Sequence, residues 1–170
     1  MPEQIATRLE AASDDPAIMA LQRAAFGPGA YARAAFRLRE QARHDPALSF
    51  VTERDGELIA SVRMTHIRIG EEPGLLLGPL VVDPCCKNMG FGKALMRLSM
   101  ETARLAGCRF VLLVGDASYY WPFGFRATIR GQIRMPGPVD PARLLVAELK
   151  PGAASELGGT VLGVAPVPPD

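Results

Sequence analysis

No stretch of this sequence approaches the ~20 consecutive apolar residues that a membrane-spanning helix requires. A dominant charge sign is also missing, since 19 Lys and Arg stand against 18 Asp and Glu for a formal net charge of +1. That balance gives no electrostatic reason to expect nucleic acid or an anionic membrane as partner. Cysteine is scarce and odd in number: Cys85, Cys86 and Cys108 do not make a disulfide framework. Histidine is scarcer still. His44 and His66 lie at neither zinc-finger nor metalloprotease spacing from a cysteine, so no metal site is expected and the thiols read as reduced. The opening Met1-Pro2-Glu3-Gln4 lacks the basic-then-apolar pattern of a signal peptide, and the expectation is a soluble, cytoplasmic protein.

What the sequence does have is enough apolar material for one core. With 170 residues, 48% of them hydrophobic, and no repeat or linker, residues 1–170 read as a single domain built around a sheet. Gln4 to Leu9 reads as an opening strand. Asp15-Pro16 marks a helix start, with Asp15 as N-cap, and Ile18, Leu21, Ala25 and Phe26 follow at helical spacing until Gly27-Pro28-Gly29. A second helix is expected from about Ala30 to His44, with Tyr31, Ala35 and Leu38 on one face and Arg33, Arg37, Arg39 and Arg43 on much of the rest, broken by Asp45-Pro46. Strands are then expected over Ser49–Thr52 and Leu58–Ile69 around the turn Asp55-Gly56. Gly70 to Gly74 reads as another turn. The continuous apolar run Leu75–Val82 reads as a strand covered on both faces, stopped by Asp83-Pro84.

A helix from about Gly92 to Ala106 follows, with Phe91, Leu95, Leu98 and Leu105 on one face and Gly107 at its C-terminal cap. Arg109–Val114 completes a βαβ unit with parallel strands. An aromatic cluster, Tyr119-Tyr120-Trp121-Pro122-Phe123-Gly124-Phe125, precedes two further strands, Leu144–Leu149 and Thr160–Val164, and a Pro-rich tail from Ala165 expected to fray.

The turn Lys87-Asn88-Met89-Gly90-Phe91-Gly92, between a buried strand and a helix, has the makings of an anion site. The first N–H groups of a helix have no internal partner and its dipole favours negative charge there. Gly90 and Gly92 let a phosphate approach the backbone, Asn88 tolerates a left-handed conformation, and Lys87 adds a mobile cation. Two familiar phosphate motifs fail. A nucleoside-triphosphate loop would need glycine where Lys87 stands and Ser or Thr where Ala94 stands, and a dinucleotide fingerprint would need glycine at Leu95. Alone, Gly90-Phe91-Gly92 serves a tight turn without a ligand equally well.

The turn has company, however. The run Leu80-Val81-Val82-Asp83-Pro84-Cys85-Cys86-Lys87-Asn88-Met89-Gly90-Phe91-Gly92-Lys93-Ala94-Leu95 resembles motif A of the GNAT superfamily of acyl-CoA-dependent N-acyltransferases. Tyr119 to Phe125 resembles the same family's Phe-Tyr-x-x-x-Gly-Phe motif, and the order of elements also matches. Lys87 stands where the family has Gln or Arg and keeps a donor; Asn88 stands where glycine is common and keeps turn competence.

The resemblance implies an α/β (α+β) fold: a central mixed, mostly antiparallel sheet flanked by helices, with a splayed pair of parallel strands. It implies acetyl-CoA as co-substrate, held by Leu80, Val81, Val82, Lys87, Asn88, Met89, Gly90, Phe91, Gly92 and Lys93. The acetyl group would pass by direct attack to a small-molecule or peptide amine, with Tyr120 as general acid to the departing thiolate and an N–H near Leu80–Val82 facing the thioester carbonyl. Tyr119 reads as packing. Gly78-Pro79 fits either a local irregularity in the strand or simply its start. No general base is assigned: Leu75–Val82 holds no carboxylate, and Glu71, Glu72, His66 or a water chain to bulk are the alternatives. A homodimer is a further expectation. The competing readings are an acyl-CoA-binding module of the same fold without chemistry, and a nucleotide-binding α/β protein.

Overall fold

The structure, a computed structural model, describes residues 2–27 and 34–165. Residues 30–33 of the second expected helix, with Tyr31 and Arg33, and the tail after Ala165 lie outside the described residues. Strand β1 (Ile5–Leu9) leads into helix α1 (Asp15–Phe26), followed by α2 (Ala34–Gln41), β2 (Phe50–Arg54), β3 (Glu57–Ile69) and β4 (Glu72–Val82). Helix α3 (Phe91–Leu105), β5 (Phe110–Val114) and the short α4 (Ala117–Tyr120) come next. The chain closes with β6 (Arg126–Ala127), β7 (Ile133–Arg134), β8 (Leu144–Glu148) and β9 (Gly159–Gly163).

The strands lie in the order β1-β2-β3-β4-β5-β8-β6, with β9 continuing along β3 and pairing β7. Among the described residues only the β4–β5 and β7–β9 pairs are parallel. This is the mixed, mostly antiparallel sheet flanked by helices that the resemblance implies. Asp55 (φ 52°) and Gly56 (φ 84°) both take positive φ, as a two-residue hairpin turn with the twist of its strands demands. Side chains alternate across β4 and β5, so Leu75, Leu77, Val111 and Leu113 join a core under α3, whereas Leu76, Phe110 and Leu112 join a second core with Leu38 of α2. Both faces of the central strands are therefore covered, and burying each such leucine contributes about 1.5–3 kcal/mol.

Several boundaries differ from the sequence expectation for identifiable reasons. Asp14, not Asp15, occupies the N-cap position of α1, and neither caps through its side chain. The Asp14 carboxylate takes two bonds from Arg8 (2.7 and 2.9 Å) and one from the Ala11 N–H (2.7 Å), while Asp15 accepts from Arg63 at 2.9 Å. Helix α2 stops at Gln41 because His44 is drawn out, its Nε2 meeting Glu10 Oε1 at 2.8 Å and its backbone bridging to Thr65. The turn between β3 and β4 is confined to Gly70-Glu71, so β4 begins at Glu72. Gly74 is thus a strand residue, needed because a Cβ there would collide with the buried ring of Phe110.

Candidate active site

Parallel pairing between β4 and β5 is limited to Leu75↔Val111 and Leu76↔Leu112. Beyond those pairs the two strands part. The register of β4 against β3 shows where β4 changes course: Leu77 faces Met64 and Leu80 faces Val62, so Gly78 and Pro79 together oppose the single residue Arg63. This is a β-bulge, and a bulge bends its strand. The irregularity that Gly78-Pro79 suggested is therefore real. Gly78 has φ 132°, which an L side chain rarely adopts.

The parted strands open a cavity of about 1300 Å³. Its walls include Leu77 to Val82 on one side and Leu113 to Asp116 on the other, with the turn before α3 at one end. The edge of β4 turned away from β3 offers its backbone from Gly78 to Val82 to this space, with no strand partner among the described residues.

The turn is built as its residue types require. Asp83 accepts from the Cys85 N–H at 2.8 Å and starts a 3-10 turn over Pro84–Cys86. Asn88 (φ 63°) and Gly90 (φ 89°) both adopt the left-handed conformation. The helical ladder of α3 begins with Ala94 N–H to Gly90 C=O at 3.0 Å, so the N–H groups of Phe91, Gly92 and Lys93 lie ahead of the first intrahelical bond. A Cβ on Gly90 would meet nothing within 4 Å, and one on Gly92 would reach Tyr119 Oη at 2.9 Å and Val82 Cγ2 at 3.4 Å. The turn is thus a shallow cradle with unpaired donors, flanked by the exposed cations Lys87 and Lys93. Its glycines, donors and cations suit a pyrophosphate.

Of the residues expected to hold the co-substrate, Leu80, Val81, Val82, Lys87, Asn88, Gly90, Phe91, Gly92 and Lys93 all line the cavity. Met89 does not; it is 54% exposed. Tyr120 lines the cavity from α4, with its ring against Gly115, where a Cβ would collide with it, and edge-on to Phe125 at 5.9 Å between centroids. Burial, with a smaller contribution from neighbouring Tyr119, pushes the Tyr120 phenol up to about 12, so it is a proton donor at any ordinary pH. Tyr119, read from sequence as packing, lines the cavity as well; it packs edge-on to Tyr120 at 4.8 Å and its hydroxyl sits over Gly92.

The alternatives for a base fare differently. Glu71 lies in the hairpin turn, Glu72 faces Arg109 at 3.8 Å, and His66 Nε2 is 2.7 Å from Asp45 Oδ2; none of the three lines the cavity. Among the described residues its carboxylates are Asp116 and Asp140. The side chain and N–H of Ser118 hold the Asp116 carboxyl below its usual range, making it a weak base. Sequence reasoning passed over the wall formed by Gly115-Asp116 and by Pro138 to Asp140 with Arg143. The one available signal was Asp116-x-Ser118, an aspartate set to cap the first turn of α4, which it does through the Ser118 N–H at 3.0 Å.

Behind the bulge lies a buried ionic network. Arg63 donates to Glu10 from Nε (3.1 Å) and Nη2 (2.7 Å), and His44 reaches the same carboxylate. Burial alone would raise the Glu10 carboxyl, but the bonds from His44 and Arg63 outweigh it and hold it below its usual range. The network ties α1, the segment after α2 and β3 together directly opposite Gly78-Pro79. Among the described residues no group of three or more His, Cys, Asp or Glu is placed to hold a metal ion, and no helix is long and apolar enough to cross a membrane.

Comparison with known proteins agrees with this geometry. The uncharacterized N-acetyltransferase YjhQ of Escherichia coli K12 is 34% identical over 117 residues, which cover 66% of this chain and 65% of that protein. The uncharacterized N-acetyltransferase YhbS of the same strain is 27% identical over 156 residues, covering 91% and 93%. The crystal structure of Escherichia coli YhbS in complex with CoA superposes with a TM-score of 0.78 at 25% identity, over 96% of this chain and 92% of that one. A GNAT family acetyltransferase from Brucella melitensis in complex with acetyl-CoA gives a TM-score of 0.62 at 29% identity, over 88% and 97%. Residues 16–122, more than half of the sequence, match the acetyltransferase (GNAT) family, and the chain belongs to that family.

Proposed function

We propose that this protein transfers an acetyl group from acetyl-CoA to an amine by direct attack in a ternary complex. The observation that carries the reading is the parting of β4 and β5 after Leu76 and Leu112, which opens one continuous cavity from the α3 turn to Tyr120. The pyrophosphate of CoA would lie on the N–H groups of Phe91, Gly92 and Lys93, with Lys87 beside it. The pantetheine arm would run along the unpaired edge of β4, taking backbone bonds as an added strand would. Likeness to structures holding CoA and acetyl-CoA supports this arrangement.

The neutral amine attacks the thioester carbon, and the carbonyl electrons move to oxygen, where a backbone N–H at Leu80–Val82 stabilises the charge. Collapse of that intermediate breaks the C–S bond. Tyr120 then gives its proton to the departing sulfur, the amine loses its own to water, Tyr120 regains a proton from water, and the products are the N-acetyl amide and free CoA. A phenol pushed up to about 12 is a weak acid. The thiolate leaving into the same desolvated cavity is a stronger base than in water, however, so placement of the phenol counts for more than its acidity.

The test is release of free thiol from acetyl-CoA in the presence of an amine panel. Amine-dependent release that falls about 10²-fold in Tyr120→Phe, with CoA affinity retained, is the expected result. CoA binding with no release for any amine would point to a binding module instead.

A further inference from the structure

Two neighbouring tyrosines reach the cavity from α4, and acetyl transfer as described uses only one of them. Successive helical residues point about 100° apart, so the two rings take different directions. Tyr120 turns to Gly115 and Phe125. Tyr119 turns to the α3 turn, where its Oη lies 2.9 Å from the place a Cβ of Gly92 would take.

Packing accounts for the ring of Tyr119. It stands edge-on to Tyr120 at 4.8 Å and tilted against Phe123 at 6.2 Å between centroids. The motif that Tyr119 to Phe125 resembles begins with Phe, and a phenylalanine would make both contacts equally well. The hydroxyl is what this chain adds, and none of the described residues hydrogen-bonds it. It is half-buried, and burial pushes the phenol above its usual value, so it remains a donor. A partly desolvated donor without a partner costs free energy until a ligand supplies the acceptor.

The neighbours say what that acceptor is. Gly92 is the second residue of α3, and its N–H is among the donors ahead of the first intrahelical bond. Its Cβ position and its N hang from one Cα, so the Tyr119 hydroxyl and the Gly92 N–H border the same gap. Val82 Cγ2, 3.4 Å from that Cβ position, forms another wall of it. An anion resting on the N–H groups of the turn comes within reach of the hydroxyl. Lys87 and Lys93 offer charge on flexible stems, whereas the Tyr119 oxygen is fixed by its ring contacts.

The geometry points to Tyr119 as a co-substrate-binding residue whose O–H donates to the pyrophosphate of CoA beside the Gly92 N–H. Hydrogen bonds to a charged oxygen are among the stronger ones, and a donor fixed in advance gives up little freedom in making one. This rests on the CoA-binding reading of the cavity, and adds to it a side chain that the turn itself does not contain.

The experiment compares wild type with Tyr119→Phe, which keeps the ring and removes the oxygen. CoA and dephospho-CoA, which lacks the ribose monophosphate but keeps the pyrophosphate, are titrated by calorimetry, and phosphorus NMR is recorded on each CoA complex. The expected result is a Kd raised about tenfold for both ligands, as loss of one hydrogen bond to a charged group confers. The pyrophosphate resonances of bound CoA should move while that of the ribose monophosphate stays, a change that loss of packing alone would not produce. A Kd for CoA within about twofold of wild type overturns the proposal. So does a loss seen with CoA but not with dephospho-CoA, or a resonance change confined to the ribose monophosphate. Weakened binding with unmoved pyrophosphate resonances overturns it as well. Each of these leaves CoA binding standing; failure of the wild type to bind CoA removes both.

Discussion

Arg63→Met is the most informative single test of how the site is held. The side chain of Glu10 is 3% exposed and that of Arg63 is 10% exposed, so their pair is shielded from water. Methionine keeps most of the arginine's volume and deletes three bonds, two to Glu10 and one to Asp15. The bond to Asp15 counts for little, because that side chain is 59% exposed. The bonds to Glu10 count for much more, since removing one partner leaves a buried charge uncompensated, at a cost of about 3–5 kcal/mol. His44 still contacts Glu10, which places the expected loss at the lower end of that span. For a domain of this size about 3 kcal/mol corresponds to a fall in Tm of roughly 6–12 °C. Urea denaturation at neutral pH with a parallel thermal melt measures it. Adding Glu10→Gln should recover part of the loss by removing the stranded charge. A loss under about 1 kcal/mol, or no recovery in the double variant, would refute the claim that this network fastens the back of the bulge.

Three further outcomes follow from the same structure. Gly74→Ala puts a methyl group into the buried Phe110 ring and should destabilise the fold by about 1–3 kcal/mol; an unchanged thermal melt would contradict the packing. Glu10 and Asp14 both have folded carboxyls held below their usual range, so their stabilisation is present in full above the unfolded values of roughly 4.3 and 3.9 and is lost as pH falls through the lower folded values. The urea midpoint should therefore drop below pH 4.5 or so, and less steeply in Glu10→Gln. Tyr120, pushed up to about 12, should stay protonated, so turnover should rise with deprotonation of the acceptor amine and show no falling limb up to pH 10 or so. A fall near pH 8 would remove Tyr120 as the acid.

Much of this was legible in the sequence, for physical reasons that also mark where legibility ended. Helix α3 announced itself because its entry glycine and its exit glycine agree, and Gly107 takes φ 84° just past the helix, as a C-terminal cap should. Its buried face was misjudged: Leu95 packs inward with Met96, Ser99 and Ala103, whereas Leu98 and Leu105, expected beside Leu95, are exposed. Strands β3 and β4 were readable because long apolar runs between turn residues leave few alternatives. The two-residue strands β6 and β7 were not, since so short a segment carries no periodicity and pairs only because β8 and β9 lie beside it. Helix α4 escaped notice because its four residues hold together through the Asp116 cap and aromatic packing rather than an amphipathic stripe. Within the site, every expected contact on the α3 turn except Met89 faces the cavity, because turn chemistry is local. Arg39, Arg143 and Tyr119 meet there through tertiary packing, which no local pattern encodes.

The central claim is that the cleft between β4 and β5, ending at the glycine turn of α3, binds the CoA moiety. Calorimetric titration of CoA into the wild-type protein and into Gly92→Leu addresses it most directly, because the Gly92 Cβ points between Tyr119 Oη and Val82 into the cavity. Saturable one-to-one binding by the wild type, abolished in a Gly92→Leu protein that keeps its circular dichroism and cooperative melt, is the predicted result. No binding heat at millimolar CoA, or undiminished binding by Gly92→Leu, would contradict the account.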